Sequence, residues 1–260
     1  MMREAAAEAI QPDTVHGAGY FKRKACIEPQ ATISRLCVLN WQCMRTADLT
    51  TQATLQRFQA VARPIMLDVY PRRDNCIWAT AVTIKVLSHF AIRARPLRCA
   101  LGIYPAALLT SVEVYRQLHG EEPKPNLLSQ WCHETPAMRS VSIGLPTVHD
   151  ASLLHLAALV ESAGHRYIVD AASDQAMDAG ARAGSLIDMP PVVLVEVPME
   201  FAPGNVIDIR LVSGAKVSYF HIDAAIEGTQ ARDWQSSKDW TNTGAHDQDA
   251  AVVRIIDAMQ

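Results

Sequence analysis

The chain has 260 residues, 49% of them hydrophobic and 20% charged, with a net charge of −3. That balance suits a soluble protein of one domain, or one domain with an appendage, and the length is enough to bury a sizeable core. No basic block stands out and no apolar run approaches the ~18 residues of a bilayer span, so neither a nucleic-acid nor a membrane partner is expected.

The N-terminus, "MMREAAAEAI", carries Glu4 and Glu8 where a signal peptide needs an unbroken apolar core. The expected location is the cytoplasm. The six cysteines, at positions 26, 37, 43, 76, 99 and 132, form no CxxC pair and no Cys/His cluster at zinc spacing. Reduced thiols, no metal and no cofactor are expected.

Residues 1–43 have no hydrophobic period, with Pro, Gly and charge scattered through them. They read as a poorly ordered appendage, or as an over-long start whose true beginning is Met44. A lineage-specific extension packed on the core is the alternative. Residues 44–260 form the expected domain. Leu49, Leu55, Phe58 and Val61 recur at helical spacing, and Pro64 predicts the end of that first helix. A second helix follows "YPRRDN", with Ile77, Val82, Ile84, Val86, Leu87 and Phe90 as its apolar positions and an end near Ala91. Asp74 or Asn75 is expected to supply its N-cap oxygen.

"RARPLRCALGIYP" then predicts a strand, and "AALLTSVEVYRQLHG" a third helix closed by Gly120. "EEPKPNLLSQWCHETP" reads as a loop with some local structure. Strands dominate from there: "MRSVSIG", "LLHLAALVE", "HRYIVDA", "VVLVEVP", "VIDIRLV" and "KVSYFHI". "DAAVVRIIDAMQ" closes the chain as a short amphipathic helix. Helices first and consecutive strands afterwards predict an α+β fold with an antiparallel sheet.

The residues with chemical potential are Cys76, His155 and Asp170. Cys76 opens the second helix, where the dipole and any nearby imidazolium favour a thiolate. His155 and Asp170 lie on two strand-like runs flanking "ESAG". A two-residue turn at Ser162–Ala163 would set them directly opposite on one face, with Cβ atoms about 5 Å apart. A three-residue turn would shift the register and make the pair diagonal. A carboxylate on the far nitrogen of an imidazole holds its tautomer and favours its charged form. The backbone N–H of Cys76 is the natural first donor to an oxyanion, with Asn75 and Tyr70 as candidate second donors. Gln175, five residues after Asp170, is a candidate to orient a group in the site or to close a turn.

Each part has a plainer reading. A Cys opening an apolar helix is more often an inert core thiol, a His between leucines a satisfied core residue, and an Asp at a strand end a turn former. It is the combination that points to chemistry. Cys99 and His221 read as strand residues of the core or sheet surface. Cys132, His133 and Trp131 read as loop or cleft-wall residues.

The order of Cys on a helix, His on a strand and Asp on the next strand resembles the transglutaminase-like branch of the papain-like cysteine fold. The fifteen-residue step from His155 to Asp170 is similar to that of arylamine N-acetyltransferases, which carry a "HLL…V…YIVD" segment. "CIWATAVTIKVLSHFAIRARPL", "LLHLAALV" and "YIVDAASDQ" also resemble segments of uncharacterised actinobacterial and phage proteins. The resemblance covers about residues 50–220. The acetyltransferases place Arg-Gly-Gly before the Cys; this chain has Arg72-Arg73-Asp74-Asn75. The transglutaminases' calcium sites have no visible counterpart.

The resemblance implies a core in which N-terminal helices carrying the Cys pack on an antiparallel sheet carrying His and Asp. It implies a Cys76–His155–Asp170 triad that transfers an acyl group, or hydrolyses an amide or ester, through a thioester. The substrate would be a peptide, an amine or a small acyl compound. A CoA-dependent N-acetyltransferase with the same triad, and a non-catalytic binding module that keeps the fold, are the alternatives.

Overall fold

In a computed structural model the described residues are 41–144, 155–185, 187–222 and 234–260, with side chains described from Thr50 onward. The appendage expected over residues 1–43 therefore lies almost wholly outside them. Helix α1 spans Trp41–Val69, α2 Cys76–His89, and strand β1 Ala94–Tyr104. Helices α3 (Ala106–His119) and α4 (Pro125–Glu134) precede the short strand β2 (Val141–Ile143). Then come β3 (His155–Ser162), β4 (His165–Asp170), α5 (Gln175–Ala183), β5 (Val193–Val197), β6 (Val206–Arg210) and β7 (Lys216–His221). Helices α6 (Lys238–Thr241) and α7 (Gln248–Met259) end the chain.

The seven strands form one sheet in the order β5-β4-β3-β1-β7-β6, with β2 also beside β1. All its pairings are antiparallel, as expected. Alternation along the strands divides the core in two. Ala158, Val160, Tyr167 and Val169 turn toward α1, α2 and α7, where Leu55, Phe58, Met66, Trp78, Val82 and Ile255 are buried. Ala157, Leu159 and Ile168 turn to the other face, with Leu97, Leu101, Val217 and Tyr219. Residues Trp78 to Thr83 of α2 are all buried, as suits a helix that is apolar almost all round.

Three expectations need correction. Helix α1 does not stop at Pro64 but runs through it to Val69. The proline costs an internal hydrogen bond. Ala62 and Met66 on either side are fully buried, and the Tyr70 N–H bonds the Met66 carbonyl at 2.8 Å, so packing carries the helix past the break. The segment read as a loop after Gly120 contains the ten-residue helix α4. Its start is marked by Pro125, whose fixed φ and missing N–H fit a first helical turn. A further helix, α5, follows Asp174 in a stretch where the sequence predicts no element.

The third helix ends as expected, with Gly120 in the left-handed region at φ 72°. No helix of the described residues is long and apolar enough to cross a membrane.

Candidate active site

Helix α2 lies across β3, and the buried Thr80 hydroxyl donates to the Leu156 carbonyl at 3.0 Å. One turn earlier in the helix is Cys76; one residue earlier in the strand is His155. The crossing therefore sets the first residue of the helix beside the first residue of the strand. The Cys76 thiol lies near enough to the His155 imidazole to favour the charged form of the ring.

The register of β3 and β4 differs from the expected one. Ser162 pairs with His165, so the two turn residues are Ala163 and Gly164, not Ser162 and Ala163. Both have positive φ, 49° and 85°. A tight hairpin of this kind needs that at both positions, and glycine supplies it at the second without strain. Ala158 pairs with Val169, which makes Asp170 diagonal to His155 rather than directly opposite. The shift keeps both side chains on one face, and diagonal neighbours remain within reach. His155 Nε2 donates to Asp170 Oδ2 at 2.8 Å.

Asp170 is fully buried and accepts three hydrogen bonds. The Tyr219 hydroxyl donates to Oδ2 at 2.8 Å and the Ala172 N–H to Oδ1 at 3.0 Å. Burial alone would raise this carboxyl. The charged His155 ring and the three donors outweigh that and hold it below the ordinary carboxylate range. Burial likewise works against a charged His155. The Asp170 carboxylate, by charge and by hydrogen bond, and then Cys76 overcome it and push the imidazole up to about 10. At neutral pH the buried pair is imidazolium and carboxylate.

Gln175, the first residue of α5, lies with its amide against His155 Nδ1. Its backbone N–H also closes a turn, donating to the Ala172 carbonyl at 3.1 Å. Asn75 is buried next to Cys76, yet neither it nor Asp74 caps α2. Asn75 Oδ1 accepts from Arg63 Nη1 at 2.9 Å, and Asp74 forms an exposed pair with Arg72. Tyr70 is engaged elsewhere: its ring stacks on His246 and stands edge-on to Trp78.

Arg63 and Asp174 escaped the sequence reading. Arg63, on α1, is 1% exposed and pairs with Asp174 at 2.6 Å; its Nη2 also donates to the Arg73 carbonyl at 3.2 Å. Arg73 approaches Asp174 at 3.6 Å and Asp178 at 2.9 Å. The available signal was position: Arg63 falls on the apolar stripe between Phe58, Ala62 and Met66, where a charge needs a partner. Tyr219 was hidden in the same way among the alternating residues of β7.

Cys99 is core, as expected. It is fully buried, its thiol donates to the His155 carbonyl at 3.6 Å, and burial pushes it well above the ordinary thiol range. His221 pairs with Cys99 across the sheet and packs on Phe201. Trp131, on α4, packs edge-on to Tyr115 of α3, and the Cys132 thiol donates to the Met138 carbonyl at 3.2 Å. Among the described residues no cluster of His, Cys, Asp and Glu is placed to hold a metal ion. Compared with known proteins, the chain matches no family model, no curated protein and no solved structure.

Proposed function

We propose that this protein transfers an acyl group, or hydrolyses an amide or ester, through a thioester on Cys76. The observation that carries the reading is the buried His155–Asp170 pair beside the start of α2, the helix that Cys76 opens. The thiolate attacks a carbonyl carbon; the S–C bond forms and the carbonyl electron pair moves to oxygen. Collapse of that oxyanion breaks the bond to the leaving group, which takes its proton from His155. Water or an amine, giving a proton back to His155, then attacks the thioester and releases Cys76. Asp170 stays a carboxylate and orients the ring throughout.

The fold that goes with this reading is a transglutaminase-like variant of the papain-like core. It is supported by the order of Cys on a helix, His on a strand and Asp on the next. The thiols of Cys76, Cys99 and Cys132 are free, which suits a reducing, cytoplasmic setting. A peptide, an amine or a small acyl compound is the substrate class.

One observation favours a second reading, a binding module with a silent triad: Gln175 occupies the Nδ1 side of His155. p-Nitrophenyl acetate separates the two. The acyl-transfer reading expects release of p-nitrophenolate and one acetyl group on Cys76 by intact mass and peptide mapping. Both are lost in Cys76→Ala and slowed in His155→Gln. A folded protein that stays unacetylated at Cys76 favours the silent triad. Acetyl-CoA as donor tests the N-acetyltransferase form of the chemistry.

A further inference from the structure

The first turn of α2 presents backbone N–H groups beside the thiol, and no side chain caps them. Next to them is a buried polar group without a hydrogen-bond partner, Nδ2 of Asn75, on a residue 2% exposed. Which end of that amide is nitrogen follows from chemistry. Arg63 only donates, so the atom it contacts at 2.9 Å is the carbonyl oxygen, and the opposite end carries the two N–H donors. A buried amide nitrogen left unpaired is costly in a resting protein. Such a cost is understandable where a ligand oxygen completes the site.

We infer that Asn75 Nδ2, together with the Cys76 backbone N–H, forms the oxyanion hole of the site, and that Arg63 is the positioning residue that holds the oxygen end of the amide and leaves the nitrogen end free. The inference rests on the acyl-transfer reading and adds to it the groups that stabilise its intermediate. Arg63 holds the oxygen end of the Asn75 amide, so the nitrogen end is the one left to meet developing negative charge. Its other partner, Asp174, is bonded to Gln175, whose amide touches His155. One buried guanidinium thus ties the residue before the nucleophile to the residue before the one that meets the base. Nothing in this arrangement uses the Arg63 charge on substrate. It acts through Asn75.

The ligand class follows. The hole takes a carbonyl oxygen that becomes an alkoxide, so the donor is an ester, thioester or amide attacked at an sp² carbon. An alkyl electrophile attacked at an sp³ carbon gains nothing from it.

That difference supplies the test. The full chain is reacted separately with p-nitrophenyl acetate and with iodoacetamide, and the rate at Cys76 is followed for each. Acylation passes through an oxyanion; alkylation does not. Their ratio cancels any change in thiolate population. Asn75→Ala lowers the ratio by about 100-fold, the usual effect of removing one oxyanion donor. Asn75→Asp keeps a partner for Arg63, guards against loss of folding, and also lowers the ratio. Arg63→Lys moves it the same way, whereas a purely structural role would leave it unmoved. A ratio within threefold of wild type in both Asn75 variants overturns the inference while leaving acyl transfer standing. A wild-type protein alkylated at Cys76 but never acylated there overturns the acyl-transfer reading, and the inference falls with it.

Discussion

Tyr219 and His155 donate to the same oxygen of Asp170, each at 2.8 Å. They come from β7 and β3, two strands separated by β1, so the carboxylate on β4 is gripped across the width of the sheet. The third donor, Ala172 N–H, takes the other oxygen. This shared grip keeps a buried carboxylate charged where burial alone would protonate it.

Tyr219→Phe removes one donor and leaves the pair otherwise intact. We expect a loss of about 1.5–3 kcal/mol in stability, the usual worth of a hydrogen bond to a charged group. Asp170 should rise and the His155 value fall, since a weaker carboxylate supports the imidazolium less. Denaturant unfolding checks the first and the NMR titration of the His155 ring the second. An unchanged His155 titration would show that Tyr219 only fills space.

Removing one member of the buried pair is predicted to cost more than removing the thiol. Asp170→Ala leaves a charged or newly neutralised imidazole in the core without its carboxylate, a loss of about 3–5 kcal/mol. Cys76→Ala leaves no buried charge unpaired and should lower the melting temperature far less. Equal melting temperatures for the two variants would contradict the ionic state assigned to the pair.

The pH dependence has a definite sign. His155 is raised in the folded protein to about 10, against about 6.5 for an unperturbed ring. The folded state therefore holds a proton that the unfolded state releases. Its stabilisation is complete below about pH 6.5 and is lost as pH rises through about 10. Asp170 is lowered, so its contribution is present above the ordinary carboxyl value of about 3.9 and is lost as pH falls through its folded value. The stability difference between wild type and His155→Gln should be largest between about pH 4 and 6.5 and shrink steadily toward pH 10. Melting curves across that range measure it. A difference that grows with pH refutes the assignment.

Arg63 and Asp174 should be coupled. Each is nearly buried and they meet at 2.6 Å. Arg63→Met strands the Asp174 carboxylate beside only the looser Arg73, at an expected cost of about 3–5 kcal/mol. Adding Asp174→Asn should recover part of it, giving a non-additive double-mutant cycle. Strict additivity would mean that the two groups stabilise the protein independently.

The thiols provide the simplest check. Cys99 is fully buried and its ionisation is pushed well up, whereas Cys76 is half-buried at a helix N-terminus. At pH 7.5 iodoacetamide should label Cys76 well before Cys99, and Asp170→Asn should slow Cys76 alone. Peptide mapping after timed quenching distinguishes the sites.

What the amino-acid sequence determined by itself was local. The apolar run after Asn75 had to be a buried helix, and the strand-like runs flanking "ESAG" had to be a hairpin. Those two periodicities placed Cys76 at a helix start and His155 and Asp170 on neighbouring strands. Even the register error left that pair on the same face, because a shift by two residues preserves which way a side chain points. Tertiary structure decided everything that depended on distant partners. Pro64 failed to end α1 because Met66 beyond it is packed in the core. Asn75 lost its capping role because Arg63, twelve residues earlier, claims its oxygen. Tyr219 gained its role because β1 brings β7 and β3 into one sheet. Periodicity reports which face of an element is buried; which polar group waits inside that core is set by how the elements cross. That is why the site's backbone was legible in the sequence and its supporting hydrogen bonds were not.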